Sequence, residues 1–587
     1  MPEVLTIVPA ATLFPGIDRS FDSFAALIRR LSRTDVLFWC ARLNLMVSNP
    51  KIEPVDAQHW AASSFLGDVE RRRLDAYARQ YGGPRMIRLF WRGQLLELLR
   101  WTCLLGDDRA DDGDTFKNPR VRRWFAQAAL MAGDIWEKRA YRDGLPQGDD
   151  LSRARVEAIA TFRHARAAGH PAIELERALG RAAQIHRTAW SGLENVDDDF
   201  RDATRLSLEE YAAFMCAMSH FCRVSPKRAR AEHVLFDRSN PITTLTDAAA
   251  NALPHFMALE SQSIDELRAR LLKADGRVPD AMDGFDEKVL LERPVLASNS
   301  GRCVVIDSVI LSDKIWVGAV FHLARRRPAD AFTSFGDGFE AYIGGILSGI
   351  WKQTILNPKR RQTGGEIELA DAAIVVEDVL FVIETKSVFL AEDATPDAEA
   401  YVDRMRQRYV QQDRPGKKSQ PKGVQQLARA IRRLVDDDFL AVPGDLGAVT
   451  LICPLLIVRD AALSVPGHLE LLGPEFAHAL ASDPSRASSS VTQGRFTVAP
   501  LTIASVDELE DLHASREALD VRRLIVDYTR AEYEGPRASF HDFMVYGRYR
   551  HRFRRNRELA RLGAAQMRAA GRYLFSVPEP SWSEDEP

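Results

Sequence analysis

The chain is 587 residues long, 46% apolar and 27% charged, with a formal net charge of -3. That length exceeds what one hydrophobic core usually organises, so several domains are expected, and the composition excludes a largely disordered chain. Near-neutrality excludes a molecule that binds polyanions over its whole surface; any nucleic-acid contact must come from local clusters of charge.

The six cysteines (Cys40, Cys103, Cys216, Cys222, Cys303 and Cys453) are scattered, with no CxxC pair. This argues against a disulfide framework and a structural zinc site, and fits free thiols in a reducing cytoplasm. The opening MPEVLTIVPAATLF lacks a basic n-region, and no stretch approaches about eighteen uncharged apolar residues, so neither export nor membrane insertion is expected.

From about Ser20 to Leu272 the apolar residues recur at helical spacing, as in MIRLFWRGQLLELLRWTCLL and LSLEEYAAFMCAMSHFC. The acidic run DDRADDGD at 107–114, LPQGDD and VDDD before Phe200 read as loops. Residues 1–285 are therefore expected to be helix-rich, with a role in sensing, partner binding or oligomerisation. Cys216, His220 and Cys222 have no fourth ligand at zinc-site spacing and read as part of a core helix.

Near Arg293 the pattern changes. RPVLASNSGRCVVIDSVIL reads as a strand, a turn around Asn299 to Arg302 and a second β-rich run, followed by a helix through Trp316 to Ala324. A β-rich connector over 286–331 is expected, then an α/β domain over 332–510, then a helical basic segment over 511–587 with an acidic, frayed tail; the stretch from about 290 to 510 is expected to fold without residues 1–280. The fold class is multidomain α plus α/β.

The segment that carries chemistry is ELADAAIVVEDVLFVIETKS, 368–387. Asp371 to Val376 and Val379 to Lys386 are β-rich runs separated by Glu377 and Asp378, which suits a tight hairpin. Residues two apart share a strand face, so Leu380, Val382, Glu384 and Lys386 align. Asp371, at the start of the preceding strand, has its register partner near residue 384. Two carboxylates and an ammonium thus converge at a strand end near solvent. Such a set suits phosphodiester hydrolysis: hard oxygen ligands select Mg2+ or Mn2+, and a lysine orients or deprotonates the attacking water. Chance alone supplies about two (D/E)xK triplets in a chain with this many acids and lysines. A second one, at Asp286-Glu287-Lys288, lies in a boundary loop with no upstream strand and is discounted.

Upstream, GDGFEAYIGGILSGIW reads as a helix with Phe339, Tyr342, Ile343, Ile346, Leu347 and Ile350 on one apolar face and Glu340 at its first turn. Gly344 and Ser348 make the Glu340 flank narrow enough for close backbone approach. GDGFEA fits GxGxxA, but no strand precedes it, so a dinucleotide site is not expected. Downstream, KGVQQLARAIRRL starts a helix with Gln425 and Gln426 near its N-terminus, after the basic loop RPGKKSQPKG. Six of the 13 lysines fall between Lys352 and Lys422. Among them Lys417, Lys418 and Lys422 are candidate phosphate contacts. The run GRYRHRFRRNRELARL at 547–562 adds Arg548, Arg550, Arg552 and Arg554 beside Tyr549 and Phe553, as nucleic-acid backbones favour; a solvated helix paired with the acidic tail is the alternative.

On these residues, the stretch from about 332 to 460 resembles the PD-(D/E)xK, restriction-endonuclease-like superfamily, whose α/β core runs helix, three strands, helix, strand around a central mixed sheet. Glu340 matches the helix acid, Asp371 the acid of the first motif, and Glu384 with Lys386 the (D/E)xK pair. Gln425 or Gln426 resembles a glutamine that some branches carry on the following helix. Ala370 stands where many members have proline, and the first core strand has no clear place within 353–370. The resemblance implies a Mg2+-dependent deoxyribonuclease with Asp371, Glu384 and Glu340 holding the metal. The layout around VVIDSVIL also resembles nucleases of bacterial antiviral defence. A catalytically idle nucleic-acid-binding or scaffold protein, and a nuclease acting on RNA, are the alternative readings.

Overall fold

The computed structural model describes residues 6–49, 52–107, 117–140, 175–222, 245–284, 287–298, 303–362, 365–388, 398–412, 419–436, 448–464, 467–481, 496–531, 538–554 and 556–575. Lys417, Lys418, Asn299 to Arg302, LPQGDD, the acidic tail and nearly all of DDRADDGD lie outside them. The chain is mixed α plus α/β.

Among the described residues of the first half most are helical, as the apolar spacing requires: Arg33–Val47 (α1), Arg92–Leu105 (α2), Pro119–Ala140 (α3), Leu175–Ser191 (α4), Leu208–Phe221 (α5) and Asp247–Glu260 (α6) among others. The start of α5 is fixed by a reciprocal cap: Ser207 accepts from the Glu210 N–H, and Glu210 accepts from the Ser207 N–H. Ser261–Ser263 (β1), Val295–Ala297 (β2) and Cys303–Val305 (β3) then form a small sheet. The β run ends at Val305, earlier than expected, because the Asp307 carboxylate accepts from the Ile310 N–H at 2.8 Å and opens helix α7 (Ser308–Leu323). Asp307 also lies 2.9 Å from Arg92, and Glu287, of the discounted triplet, lies 2.7 Å from the same guanidinium.

Helix α8 spans Pro328–Ile350 and starts well ahead of Gly336, with proline at its first position, where the missing N–H costs nothing. Glu340 therefore lies in the middle of the helix and not in its first turn, so the helix dipole does not account for it. Ile355–Leu356 (β4) is a two-residue strand within 353–370, the stretch in which a strand had no clear place from sequence. A two-stranded ribbon, Lys359–Gln362 (β5) with Gly365–Glu368 (β6), is inserted before Ala372–Val376 (β7) and Val379–Lys386 (β8). Helix α9 (Gly423–Asp436), strand β9 (Leu451–Val458), helix α10 (His468–Ala481) and strands β10 (Thr497–Val498) and β11 (Thr502–Ser505) follow. The six-stranded sheet runs β10-β9-β8-β7-β4, with β11 also on β9; β7 is antiparallel to both β4 and β8, and β9 is parallel to β8. Pro454, which has no N–H to donate, falls where the neighbour of β9 changes from β10 to β11.

Both faces of the sheet are covered. Ile374, Phe381, Ile383 and Leu455 face the apolar stripe of α8, with Trp351 stacked on Phe381 at 4.9 Å. Leu380, Val382 and Leu456 face Val424, Leu427 and Ile431 of α9. The α8 side opens into a core shared with Ala178 and Ile185 of α4, Phe214 of α5 and the C-terminal helices Val506–Ser515 (α11), Val521–Arg530 (α12) and Arg557–Leu574 (α13). A Cβ on Gly338 would stand 2.7 Å from the Ile185 carbonyl oxygen, so the close backbone approach on α8 is at Gly338. At Gly344 the neighbour is the Leu356 side chain instead. A second core links residues between Val8 and Ile310. Among the described residues no helix is long and apolar enough to cross a membrane.

Candidate functional site

Two ends of the β7–β8 hairpin receive different treatment. At the turn, Glu377 takes a positive φ of 57°, and Arg522 of α12 bridges Glu377 and Asp378. At the open end the last paired rung joins Ile383 to Ala372, which leaves Asp371 one step beyond it beside Glu384. Asp371 is held there by Thr385: its Oδ2 accepts from the Thr385 N–H at 2.5 Å and from the Thr385 hydroxyl at 2.8 Å.

Glu384 is only 2% exposed, and its Oε1 accepts from Lys386 Nζ at 2.6 Å. The strand end near solvent that the sequence suggested is in fact largely covered, because β8 is central and α9 closes over it. Gly423, the first residue of α9, makes that closure possible: a Cβ there would meet the Tyr409 carbonyl oxygen at 3.0 Å and Lys386 Cε at 3.5 Å. From the other side of the sheet, α8 approaches the same end, with a Cβ on Gly336 reaching within 3.7 Å of Ser387 Oγ. Glu340, one turn further along α8, is half-buried.

Electrostatics bind these groups into one set. Burial, and then the Asp371 charge, push Glu340 up to about 7, although Lys386 opposes the shift. Burial pushes Glu384 up to about 8; Lys386 offsets part of this, while Asp371 and Glu340 add to it. Glu368, at the end of the β6 ribbon strand and opposite Lys359, is raised by burial and by Asp371. Lys386 would be lowered by burial, but Glu384 and Asp371 carry it above its usual value. Once ionised, the carboxylates outnumber the ammonium, and a cation would relieve that excess negative charge.

The donor chemistry is all-oxygen and suits a hard divalent ion. Among the described residues, no group of three or more His, Cys, Asp or Glu is drawn together tightly enough to hold a metal as the side chains stand, so Glu340, Asp371 and Glu384 would have to close on an ion. Cys216 and Cys222 are buried in and after α5, part of a core helix as expected, and burial pushes the Cys216 thiol up to about 12.

The remaining candidates divide. Gln425 donates through Nε2 to Gln411 Oε1 at 3.0 Å, so its amide is engaged by the short strand at Gln411–Gln412. The buried Gln426 Oε1 has no hydrogen-bond partner among the described residues. Lys422 immediately precedes Gly423 and so lies at the Lys386 side of α9. In the arginine run, Arg550–Arg552 form a 3-10 turn and α13 begins only at Arg557, so its first half is a connector and not a helix. Arg548 is tied to Asp527, whereas Arg550, Arg552 and Arg554 are exposed.

Sequence reasoning missed Glu368 and Thr385. Both stand in the quoted segment, but Glu368 joins the site only because the ribbon returns it beside Asp371, and a threonine between two charged residues carries no signal of its own. Compared with known proteins, the chain matches no family model, no curated protein and no solved structure.

Proposed function

We propose that the chain is a Mg2+-dependent nuclease that hydrolyses DNA phosphodiester bonds at the open end of the β7–β8 hairpin. The observation that carries this reading is the convergence at one hairpin end of Asp371 ahead of β7 with Glu384 and Lys386 of β8, the ammonium donating to Glu384, and with Glu340 of α8 near enough for its charge to act on Glu384. The order of elements supports it too: helix α8, the antiparallel trio β4, β7 and β8, helix α9, then β9 parallel to β8, which is the order the resemblance to the PD-(D/E)xK superfamily implies.

In this reading Asp371, Glu384 and Glu340 hold the ion, which when bound polarises the phosphoryl oxygen and acidifies water. Lys386, protonated and fixed against Glu384, donates to the phosphate or orients the attacking water. Ionised Glu384 and Glu340 are needed as ligands, so loading releases protons. The deciding experiment incubates purified protein with plasmid, linear DNA and RNA in Mg2+, Mn2+ or EDTA. Cleavage of DNA in either metal and none in EDTA is expected; cleavage of RNA alone moves the substrate, and no cleavage of anything leaves an idle nuclease-like fold.

A further inference from the structure

We propose that Thr385 is a positioning residue: it saturates one oxygen of Asp371 and thereby presents the other, Oδ1, as a single-oxygen ligand for a divalent cation. The inference rests on the nuclease reading above and names a residue that the motif leaves open, since the position between the acid and the lysine of a (D/E)xK pair is unspecified.

The geometry is local and complete. Both hydrogen bonds that the Asp371 side chain makes among the described residues end on Oδ2, one from the Thr385 N–H at 2.5 Å and one from its hydroxyl at 2.8 Å. Hydrogen bonds to an ionised oxygen are stronger than neutral ones, so two of them hold the carboxylate plane firmly. Thr385 itself is fixed. It is buried and sits opposite Ile457 in the parallel ladder with β9, and a β-branched side chain has few rotamers to leave for.

The clamp also answers a competition. Asp371 is close enough to Lys386 for its charge to act on the ammonium, and Lys386 has already donated to Glu384. An unclamped Asp371 could swing to the same ammonium and neutralise the site internally. Held by Thr385, it keeps its charge available to an ion. Partners of this kind, which orient a ligand without touching the metal, change metal affinity by about 10–100-fold when removed.

The test is calorimetric titration of the full chain with MgCl2 in wild type, Thr385→Val and Thr385→Ser, beside thermal melts and DNA cleavage. Valine keeps the shape and the backbone donor but removes the hydroxyl; serine keeps the hydroxyl. Magnesium binding about tenfold weaker or more in Thr385→Val, with Thr385→Ser near wild type, is expected. A purely structural role would lower the melting temperature in both variants without separating their metal affinities. If the valine variant fails to fold, Thr385→Ala against Thr385→Ser reads the same difference. Equal affinity in Thr385→Val and wild type, or equal loss in the valine and serine variants, overturns the proposal while a wild type that binds magnesium and cleaves leaves the nuclease reading standing. A wild type that binds no magnesium overturns both.

Discussion

Two sites built around a buried glutamate in this molecule solve the same problem in opposite ways. Glu260, at the end of α6, is fully buried, yet it accepts from the Tyr211 hydroxyl at 2.9 Å, lies 2.7 Å from His322 Nε2 and lies 3.1 Å from Lys314 Nζ. Burial alone would raise it, but Lys314 and His322 outweigh burial and hold it below the usual carboxylate range. At the hairpin end, Glu340, Glu368, Asp371 and Glu384 share Lys386, and Glu340 and Glu384 rise to about 7 and about 8. The first cluster is closed, and its charges hold α6 to α7. The second is open in charge. A fold that pairs one buried acid so fully has left another group under-compensated, which is how a site that awaits a cation and a phosphate would be arranged.

The strongest way to break this contrast is at the chemistry. Asp371→Asn, Glu384→Gln and Lys386→Ala should each lower DNA cleavage by about 100-fold or more, as loss of a group that acts on the reacting water or phosphate does. The variants should separate in metal binding: the two amides weaken magnesium, with partial return at high manganese, while the lysine variant binds magnesium as well as wild type or tighter, because a neighbouring cation has gone. Cleavage assays beside calorimetry read both; full activity in Lys386→Ala removes this residue from the chemistry.

Stability should diverge next. Lys314→Met strands Glu260 in the closed cluster and should cost about 3–5 kcal/mol, the penalty of an uncompensated buried charge. Glu384→Gln in metal-free protein near pH 8 should be neutral or stabilising, because it removes a charge the fold opposes. Chemical denaturation of both variants settles the order, and a large loss in Glu384→Gln would mean that this acid is structural.

The same shifts give a pH dependence with a definite sign. Glu384 and Glu340 hold protons more tightly folded than unfolded, so their contribution to stability is present below the ordinary value of 4.5 and is lost as pH rises through about 7 and about 8. Metal-free protein should therefore lose stability across that window, and magnesium should restore it. Magnesium affinity should rise over the same window, since protons leave as the ion binds. Melts in EDTA and in magnesium, taken across this range, check it; a flat metal-free profile would place these acids in contact with compensating charge.

How much of this was legible in the sequence follows from how local each signal is. The hairpin was readable to within one residue, with Asp371 just ahead of β7 and not in it, because alternation, β-branched runs and a two-residue turn at Glu377 and Asp378 are all local. The apolar run of β9 is long enough to read as a strand, and its burial throughout is what a strand covered on both faces shows. The start of α8 was misread because Gly336 and Gly338 look like breakers, whereas Gly338 serves the close approach to α4. The strand β4 is two residues long and has too little pattern to find. The expectation that the α/β region folds alone rested on a composition break, but the core under α8 draws on α4, α5 and α13, which no local pattern reveals. Burial of Glu384 was likewise invisible, since it depends on α9 returning over the strand end.

The smallest expected effect concerns the surface around the site. Lys422 leads into the first turn of α9, whose Gly423 lies against Lys386, so it is placed to meet a phosphate of a strand entering there. Each phosphate contact that a protein makes releases condensed counterions, and its loss lowers the slope of log affinity against log salt by about 0.9 for duplex DNA. Lys422→Ala, measured in EDTA to prevent cleavage, should show that loss in slope with a modest and sequence-independent loss of affinity. Arg548→Ala should show neither, because the Arg548 guanidinium is already held by Asp527 and its charge is spent within the fold. Fluorescence anisotropy over a salt series compares the two variants directly. An unchanged slope in Lys422→Ala takes the α9 edge out of the DNA path, and a reduced slope in Arg548→Ala moves that path towards the exposed arginines at 550, 552 and 554.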